Sequence, residues 1–370
     1  MRVTGATIHP IHLPLRDPFV VAYARWESMP SIILELHTDT GLTGWGESVP
    51  DETVTGESHS AAVAMLRDVL LPAVLGREVA DIDGAHAAMA TAVGANPSVK
   101  AAIDLALHDL LGQAGGMPLH QLLGGSSERP LTYPRVISVG APEAMAHGAE
   151  AALGEGFTEI KIKVGAGEPR EDIARVRAVC EAVGDRARVR VDVNQHWGTP
   201  AVAVPAIRQL EGLGLRWIEQ PVHGLDITGL AEVRAVTSVP IMADESVHGM
   251  ASLLQIIRER AADAVNLKLM KTGGLQPAAA LVAVAQAAGL WVQIGSMVES
   301  SIGSAAGYHL AAARSHVTST ELTGPLLFSR DVGDLAYEPP TVRLSQRAGL
   351  GVQIDRDALE ALRVGGPITL

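Results

Sequence analysis

The sequence predicts an α/β protein, a barrel of parallel strands behind a smaller N-terminal α+β cap, and three observations carry that reading. Beyond residue 130 short β-rich runs alternate with helical ones, the order of a parallel sheet built from strand–helix units. Charged residues close successive runs, Lys163, Asp192, Glu219, Asp244 and Lys268, at intervals of 29, 27, 25 and 24 residues. The first third has a different rhythm and ends in a cluster of Gly, Ser and Pro, "LLGGSSERP".

In chain order, "VTGATIHPIHLPL" and "SIILELHTDTGLTGWGES" read as strands, with a turn signal at Asp39-Thr40-Gly41. From about residue 57 to 123 the period becomes helical, in "SAAVAMLRDVLLPAVLG" and in "SVKAAIDLALHDLLGQAGG", the latter closed by a Gly pair and a following Pro. "EIKIKVG", "ARVRVDVN", "RWIEQP", "VPIMADES", "AVNLKLMKTGG" and "LWVQIGS" then read as strands separated by helices. The even intervals bring five charged strand ends to one mouth of a barrel. A doubly wound open sheet would spread them along a line, and the chain has no G-x-G-x-x-G turn after a first strand. The expected division is a cap over 1–125, a barrel over 126–322 and a segment over 323–370 that returns to the cap.

The bulk properties narrow the function. A chain of 370 residues with 47% hydrophobic residues can bury a large core. A formal charge of −12 without any basic run argues against nucleic acid and anionic membrane, which leaves a small molecule as the expected partner. Cys180 is the single cysteine, so no internal disulfide and no cysteine-based metal cage can form, and no run reaches about 18 apolar residues. A cytoplasmic homo-oligomer is expected.

The strand "EIKIKVG" puts Ile160, Ile162 and Val164 on one face and Glu159, Lys161 and Lys163 on the other. In an antiparallel sheet the charged face would meet water; in a barrel both lysines point into the mouth. There each raises the cost of protonating the other, which depresses a pKa and suits a lysine to act as a base. Asp192, Glu219 and Asp244 would converge from adjacent strands, and three carboxylates repel unless a cation joins them. An all-oxygen set suits a hard ion such as Mg²⁺ better than Zn²⁺. Lys268 faces Lys163 across these carboxylates.

"KIKVG", "VDVNQ", "IEQP", "ADES" and "NLKLMKTGG", in this order, resemble the enolase superfamily, and specifically its muconate lactonizing subgroup with a lysine on each side of the metal. The resemblance covers essentially the whole chain. It implies a modified TIM barrel, (β/α)7β, with a capping domain. It implies Mg²⁺, with Mn²⁺ as a substitute, on Asp192, Glu219 and Asp244, and Lys163 and Lys268 as the acid/base pair. Lys161 would assist Lys163 and help hold a substrate carboxylate, and Asn194 and Glu245 would support the metal shell. The mandelate racemase subgroup has an essential histidine after the seventh barrel strand; here "QIGSMVES" offers Ser296, which disfavours that subgroup.

The chemistry implied is removal of a proton α to a carboxylate through an enolate. "YARWES", residues 23–28, and "TGES" are similar to dipeptide epimerases, which points to a racemase or epimerase of a dipeptide or N-acyl amino acid. "SMVESSIGS" and "TELTGPLLFSRDV" are more similar to muconate cycloisomerases, the alternative, with a non-catalytic binding protein as a third reading. Dipeptide epimerases carry an Asp-x-Asp pair after the last barrel strand, where this chain has Glu321 and Thr323, and Ala24 stands at a position of a substrate-binding arginine, beside Arg25. Arg25, Trp26, Ser296, Glu299, Glu321 and Thr323 are the expected further substrate contacts. Trp197 reads equally as pocket wall or packing, His196 as a rim residue and Met270 as core.

Overall fold

The computed structural model describes every residue except 22, 23 and 127. Strands β1 (Val3–Val21), β2 (Ala24–Thr38) and β3 (Thr43–Ser48) form an antiparallel sheet. The predicted turn joins β2 to β3, with Gly41 at φ +79°, a conformation that costs a glycine nothing. The β1–β2 hairpin runs further than expected: Phe19 pairs with Trp26 and Val20 with Arg25. Residues 24–28, expected as a loop, are therefore strand, because aromatic and β-branched partners across the hairpin extend the ladder. Tyr23 of that expected loop lies outside the described residues.

The helix Pro97–Gly115 lies across this sheet, with Pro97 in its first turn and Gly116 in the left-handed conformation at its end. The approach is close because β3 presents no side chain there. A Cβ on Gly46 would collide with the Ala102 carbonyl, and one on Gly44 with that of Ala106. Helix and sheet enclose a core of their own, which includes Ile8, Leu34, Leu36, Ile103 and Leu107.

After β4 (Leu131–Thr132) come β5 (Arg135–Ile137), β6 (Glu159–Lys163), β7 (Arg188–Asp192), β8 (Trp217–Glu219), β9 (Ile241–Ala243), β10 (Ala264–Leu267), β11 (Trp291–Ile294) and β12 (Val317–Thr320). β5 to β12 form one parallel eight-stranded sheet in chain order, with helices in all seven crossovers, which is the (β/α)7β arrangement. The sheet curls onto itself. Arg190 on β7 donates to Gln293 on β11 at 2.8 Å, and Lys161 on β6 to Glu321 just past β12 at 2.8 Å. All five residues of β6 are buried, so its charged face looks into the barrel and not into water.

The chain closes with a hairpin of β13 (Ala336–Glu338) and β14 (Thr341–Arg343), which pairs with β4, and with β15 (Ile368–Thr369), which pairs with β1. Two buried carboxylates of the N-terminal sheet and helix reach barrel helices at their N-termini, where main-chain N–H groups lack partners. Glu47 accepts from Ser300 N (2.9 Å), Ser300 Oγ (2.7 Å) and Gly303 N (2.9 Å), and Asp104 accepts from Leu275 N. Among the described residues no helix is long and apolar enough to cross a membrane.

Candidate active site

The period-2 alternation of β6 puts Lys161 and Lys163 on the barrel interior, and parallel register sets Lys163 beside Asp192 and Asp192 beside Glu219. Asp244 follows the last residue of β9, and Lys268 that of β10. The five predicted strand-end charges thus meet at one mouth. Lys163 Nζ lies 2.6 Å from Asp192 Oδ2, and Lys268 Nζ lies 2.8 Å from Asp244 Oδ2, on the other side of the carboxylates.

Lys161 corrects one expectation: its pKa is not depressed. Its ammonium shares Asp192 Oδ2 with Lys163, at 2.9 Å and 2.6 Å, and is also 2.8 Å from Glu219 Oε2 and 2.8 Å from Glu321 Oε2. Burial disfavours its charge, but these three carboxylates outweigh burial and hold its pKa well above the ordinary lysine value. Burial likewise acts against the Lys268 ammonium, and Asp244 and Glu245 overcome it and raise the pKa.

Lys161, Lys163 and Lys268 each pair with these carboxylates. Among the described residues no three His, Cys, Asp or Glu side chains come together closely enough to hold a metal ion. The donor set still suits a hard divalent cation. Asp192, Glu219 and Asp244 are buried oxygen donors on consecutive strands. Burial, with Asp192, Asp244 and Glu321 adding repulsion, pushes Glu219 up to about 8 despite Lys161, so this carboxylate is short of positive charge. Burial also pushes Asp192 up, but Lys161 and Lys163 prevail and hold it at about 2. Glu219 Oε2 and Asp244 Oδ2 meet their lysines as ion pairs at angles that make no hydrogen bond, and Glu245 Oε2 has no hydrogen-bond partner.

Asn194, in the left-handed region at φ +44°, ties the set together. Its N–H donates to Asp192 Oδ1 (2.9 Å), its Oδ1 accepts from Lys163 (3.3 Å) and its Nδ2 donates to Glu245 Oε1 (3.1 Å). Three supporting residues escaped the sequence reading. Lys271 donates to the Asp244 carbonyl and to Asp244 Oδ1, Asn266 Nδ2 donates to Glu219 Oε1 (2.8 Å), and Gln220 Oε1 accepts from Asp244 N (2.9 Å). Asn266 had a signal: it lies two residues before Lys268 on the same strand face.

The pocket over this mouth spans about 860 Å³, its open entrance included. Lys161, Lys163, Asn194, Glu245 and Lys268 form its floor, Ser296, Met297, Val298, Glu321 and Thr323 one wall, and Phe19, Trp26, Met29, Asp51 and Val54 of the cap the other. Val298 stands at φ +69°, a strained conformation for a β-branched residue, and its N–H donates to Ser296 Oγ at 2.7 Å. Glu299 is buried behind this loop and accepts from Ser296 Oγ and from Met297 N (2.9 Å), so it braces Ser296 and does not line the pocket.

Arg25 is not brought to the pocket. Strand alternation that turns Trp26 inward turns its neighbours outward, and Arg25 is exposed and paired with Glu27 at 3.1 Å. Glu321 lines the pocket, and its Oε2 accepts from Lys161 (2.8 Å) and Gln293 (3.3 Å). Trp197 is packing, its Nε1 bonded to Asp172 (3.0 Å); His196 is exposed and Met270 is in the core.

The family model for the mandelate racemase/muconate lactonizing enzyme N-terminal domain matches residues 3–124, and that for enolase C-terminal domain-like proteins matches residues 144–358. The N-succinyl-L-Arg/Lys racemase of Bacillus cereus is 43% identical over 98% of this chain and 98% of its own. The crystal structure of the N-succinyl Arg/Lys racemase from that organism superposes with a TM-score of 0.97 at 42% identity, over 100% of both chains. A dipeptide epimerase from Cytophaga hutchinsonii, solved with Mg and the dipeptide D-Ala-L-Val, superposes with a TM-score of 0.94 at 30% identity, again over 100% of both chains. The chain belongs to the mandelate racemase/muconate lactonizing enzyme family of the enolase superfamily. It is an isomerase, and its relatives favour the racemase or epimerase expectation over the cycloisomerase.

Proposed function

We propose that this chain racemises an N-acyl amino acid by moving the proton α to its carboxylate between Lys163 and Lys268. The observation that carries the reading is the position of these lysines, one at Asp192 and one at Asp244, on opposite sides of a buried carboxylate set. Asp192, Glu219 and Asp244 would hold Mg²⁺, or Mn²⁺ in its place, with Asn194 and Glu245 supporting them. The chemistry that ion supplies is neutralisation of the charge that builds on a carboxylate as its α-proton leaves. Lys161 adds a fixed positive charge for the substrate carboxylate. Lys163 takes the proton from one face, the α-carbon becomes planar, and Lys268 returns a proton to the other face; the reverse path serves the mirror substrate.

A dipeptide with a free amine fits less well, because Lys161 already balances the charge of Glu321, the carboxylate expected to receive its ammonium, through Oε2. An N-acyl nitrogen carries no charge and needs no such partner, and the Bacillus cereus relative, named for N-succinylated amino acids, supports the same class. Cycloisomerisation requires only one proton-transferring lysine and leaves the second unexplained. In this reading residues 126–322 carry the chemistry, 1–125 close the mouth and 323–370 tie the two together. A cytoplasmic homo-oligomer is the expected form, in keeping with an acidic chain and a single cysteine.

The test is loss of the α-proton signal in D₂O, together with racemisation, across N-acetyl and N-succinyl amino acids, with and without Mg²⁺. Glu219→Gln keeps the shape of a ligand and removes its charge. It should cost more than the roughly 10- to 100-fold typical of supporting partners, with the fold retained. Full turnover after exhaustive chelation would refute the metal; no exchange with any N-acyl amino acid would refute the reaction.

A further inference from the structure

The two glycines that end "NLKLMKTGG" have no part in the chemistry described above, yet they lie directly behind Lys268. Lys268 immediately precedes the one-turn helix Leu269–Thr272. Its main-chain carbonyl accepts from Lys271 N (3.0 Å) and Thr272 N (3.0 Å), and that of Leu269 accepts from Gly273 N (3.0 Å) and Gly274 N (2.9 Å). Gly273 closes the turn at φ +93° and Gly274 leaves it at φ +115°, conformations open to glycine. Whatever holds Gly274 and the residue after it therefore sets the main chain of Lys268.

What holds them belongs to the cap. Asp104 of the helix Pro97–Gly115 is fully buried and accepts from Leu275 N (2.5 Å) and Gln276 N (3.4 Å), the first N–H groups of the helix Leu275–Ala287. The approach requires Gly274: a Cβ there would stand 2.3 Å from Asp104 Oδ1. Two histidines of the cap keep the carboxylate in place. His86 Nε2 lies 2.7 Å from Asp104 Oδ2, and His108 Nδ1 lies 2.9 Å from the Asp104 main-chain carbonyl and 3.4 Å from Oδ1. Burial disfavours the Asp104 charge, but His108 and His86 outweigh it and hold the carboxyl below its ordinary value, so it stays an ionised acceptor.

Lys163 is supported differently. Gly165 N donates to Asp172 Oδ1 (3.0 Å), Trp197 Nε1 donates to Asp172 Oδ2 (3.0 Å), and Arg175 donates to Asp172 (2.8 Å) and to the Ala166 carbonyl (3.0 Å). All of these residues belong to the barrel. Among the described residues the turn behind Lys163 makes its hydrogen bonds within the barrel, whereas the turn behind Lys268 is bonded to the cap.

We propose that Asp104 is a positioning residue for Lys268: by fixing the turn at Gly274 and Leu275, the cap sets the base on one face of the substrate and leaves the base on the other face to the barrel. This rests on the two-base reading above. A reacting group displaced by about 1 Å loses up to about 100-fold in rate, so loss of the Asp104 contact falls on the proton that Lys268 moves. The proton that Lys163 moves is untouched.

The experiment follows α-proton loss in D₂O with Mg²⁺, from each enantiomer of N-acetyl and N-succinyl amino acids, in Lys163→Ala, where Lys268 is the remaining base, and in Lys268→Ala, where Lys163 is. Asp104→Ala added to the first should slow exchange by up to about 100-fold. Added to the second it should leave the rate as it was. Asp104→Asn, which keeps an oxygen for Leu275 N, should restore most of the lost rate. Gly274→Ala breaks the same contact from the barrel side with Asp104 and its histidines intact, and should give the same one-sided loss even where Asp104→Ala does not fold. Lys271, on the same turn, holds Asp244, so Mg²⁺ affinity is measured by calorimetry as well. Equal losses in both backgrounds with weakened Mg²⁺ binding would place the effect on the metal site and overturn the inference. Equal losses without that weakening, or no loss in either background, would make Asp104 a fold residue only; in all these cases, with the single-lysine variants exchanging opposite enantiomers, this inference alone would fall. If neither single-lysine variant exchanged a proton, the two-base reading would fall and take this one with it.

Discussion

Replacing Lys163 or Lys268 with alanine removes a base from one face of the substrate, and the structure says how much else each change disturbs. Asp192 loses Lys163 but keeps Lys161 at 2.9 Å and the Asn194 N–H at 2.9 Å. Asp244 loses Lys268 but keeps Lys271 on its other oxygen. Neither variant strands a buried charge, the situation that costs about 3–5 kcal/mol, so both should fold. The catalytic loss is larger, since a positioned acid or base contributes about 10²- to 10⁴-fold and racemisation uses both lysines in either direction. Each variant should lose racemisation by at least that factor while still exchanging the α-proton of one enantiomer. The assay incubates each pure enantiomer in D₂O, follows the α-proton by NMR and checks configuration by chiral chromatography. Lys163→Ala and Lys268→Ala should exchange opposite enantiomers. Exchange of the same enantiomer by both, or wild-type racemisation by either, would refute the two-base mechanism.

Two further predictions concern the cap. Burial pushes Glu47 up from 4.5 to about 7, against the bonds it accepts from Ser300, Ser31 and Gly303. The folded state therefore holds a proton that the unfolded state releases between these values, and stability should fall as pH rises through that window, by up to about 3 kcal/mol from this group. Glu219, Glu245 and Asp109 are raised as well and add slope of the same sign, so the readout is the difference: urea unfolding of Glu47→Gln from pH 4.5 to 7.5 should show a shallower decline than wild type, and an identical slope would count against it. Gly46→Ala drives a Cβ into the Ala102 main chain, where no rotamer change gives relief, and should destabilise by about 1–3 kcal/mol or more in the same assay. A neutral result would mean that helix and sheet can part without cost.

The sequence by itself determined the period and the ends of the elements. Even spacing from Lys163 to Lys268 specified one strand–helix unit per charged residue, and alternation in "EIKIKVG" specified which residues share a face. The turn at Gly41 and the helix end at Gly116 follow from local backbone preference, so they too were predictable. The family's motifs are short and continuous, which is why they could be read without a structure. The first and last barrel strands were not located from their residues, since Arg135–Ile137 is too short to show a period and "VTST" is too polar to stand out. Tertiary structure alone decided what each side chain meets. Lys161 finds Glu321 160 positions away, and Glu47 finds Ser300 253 positions away. Trp26 faces the pocket and Arg25 does not, because the hairpin's pairing orients them, and Asp51 meets the same cavity because β3 ends above the barrel mouth. Periodicity is a property of neighbouring residues and travels with the sequence, whereas these contacts arise only when closure of the barrel and docking of the cap bring distant segments together.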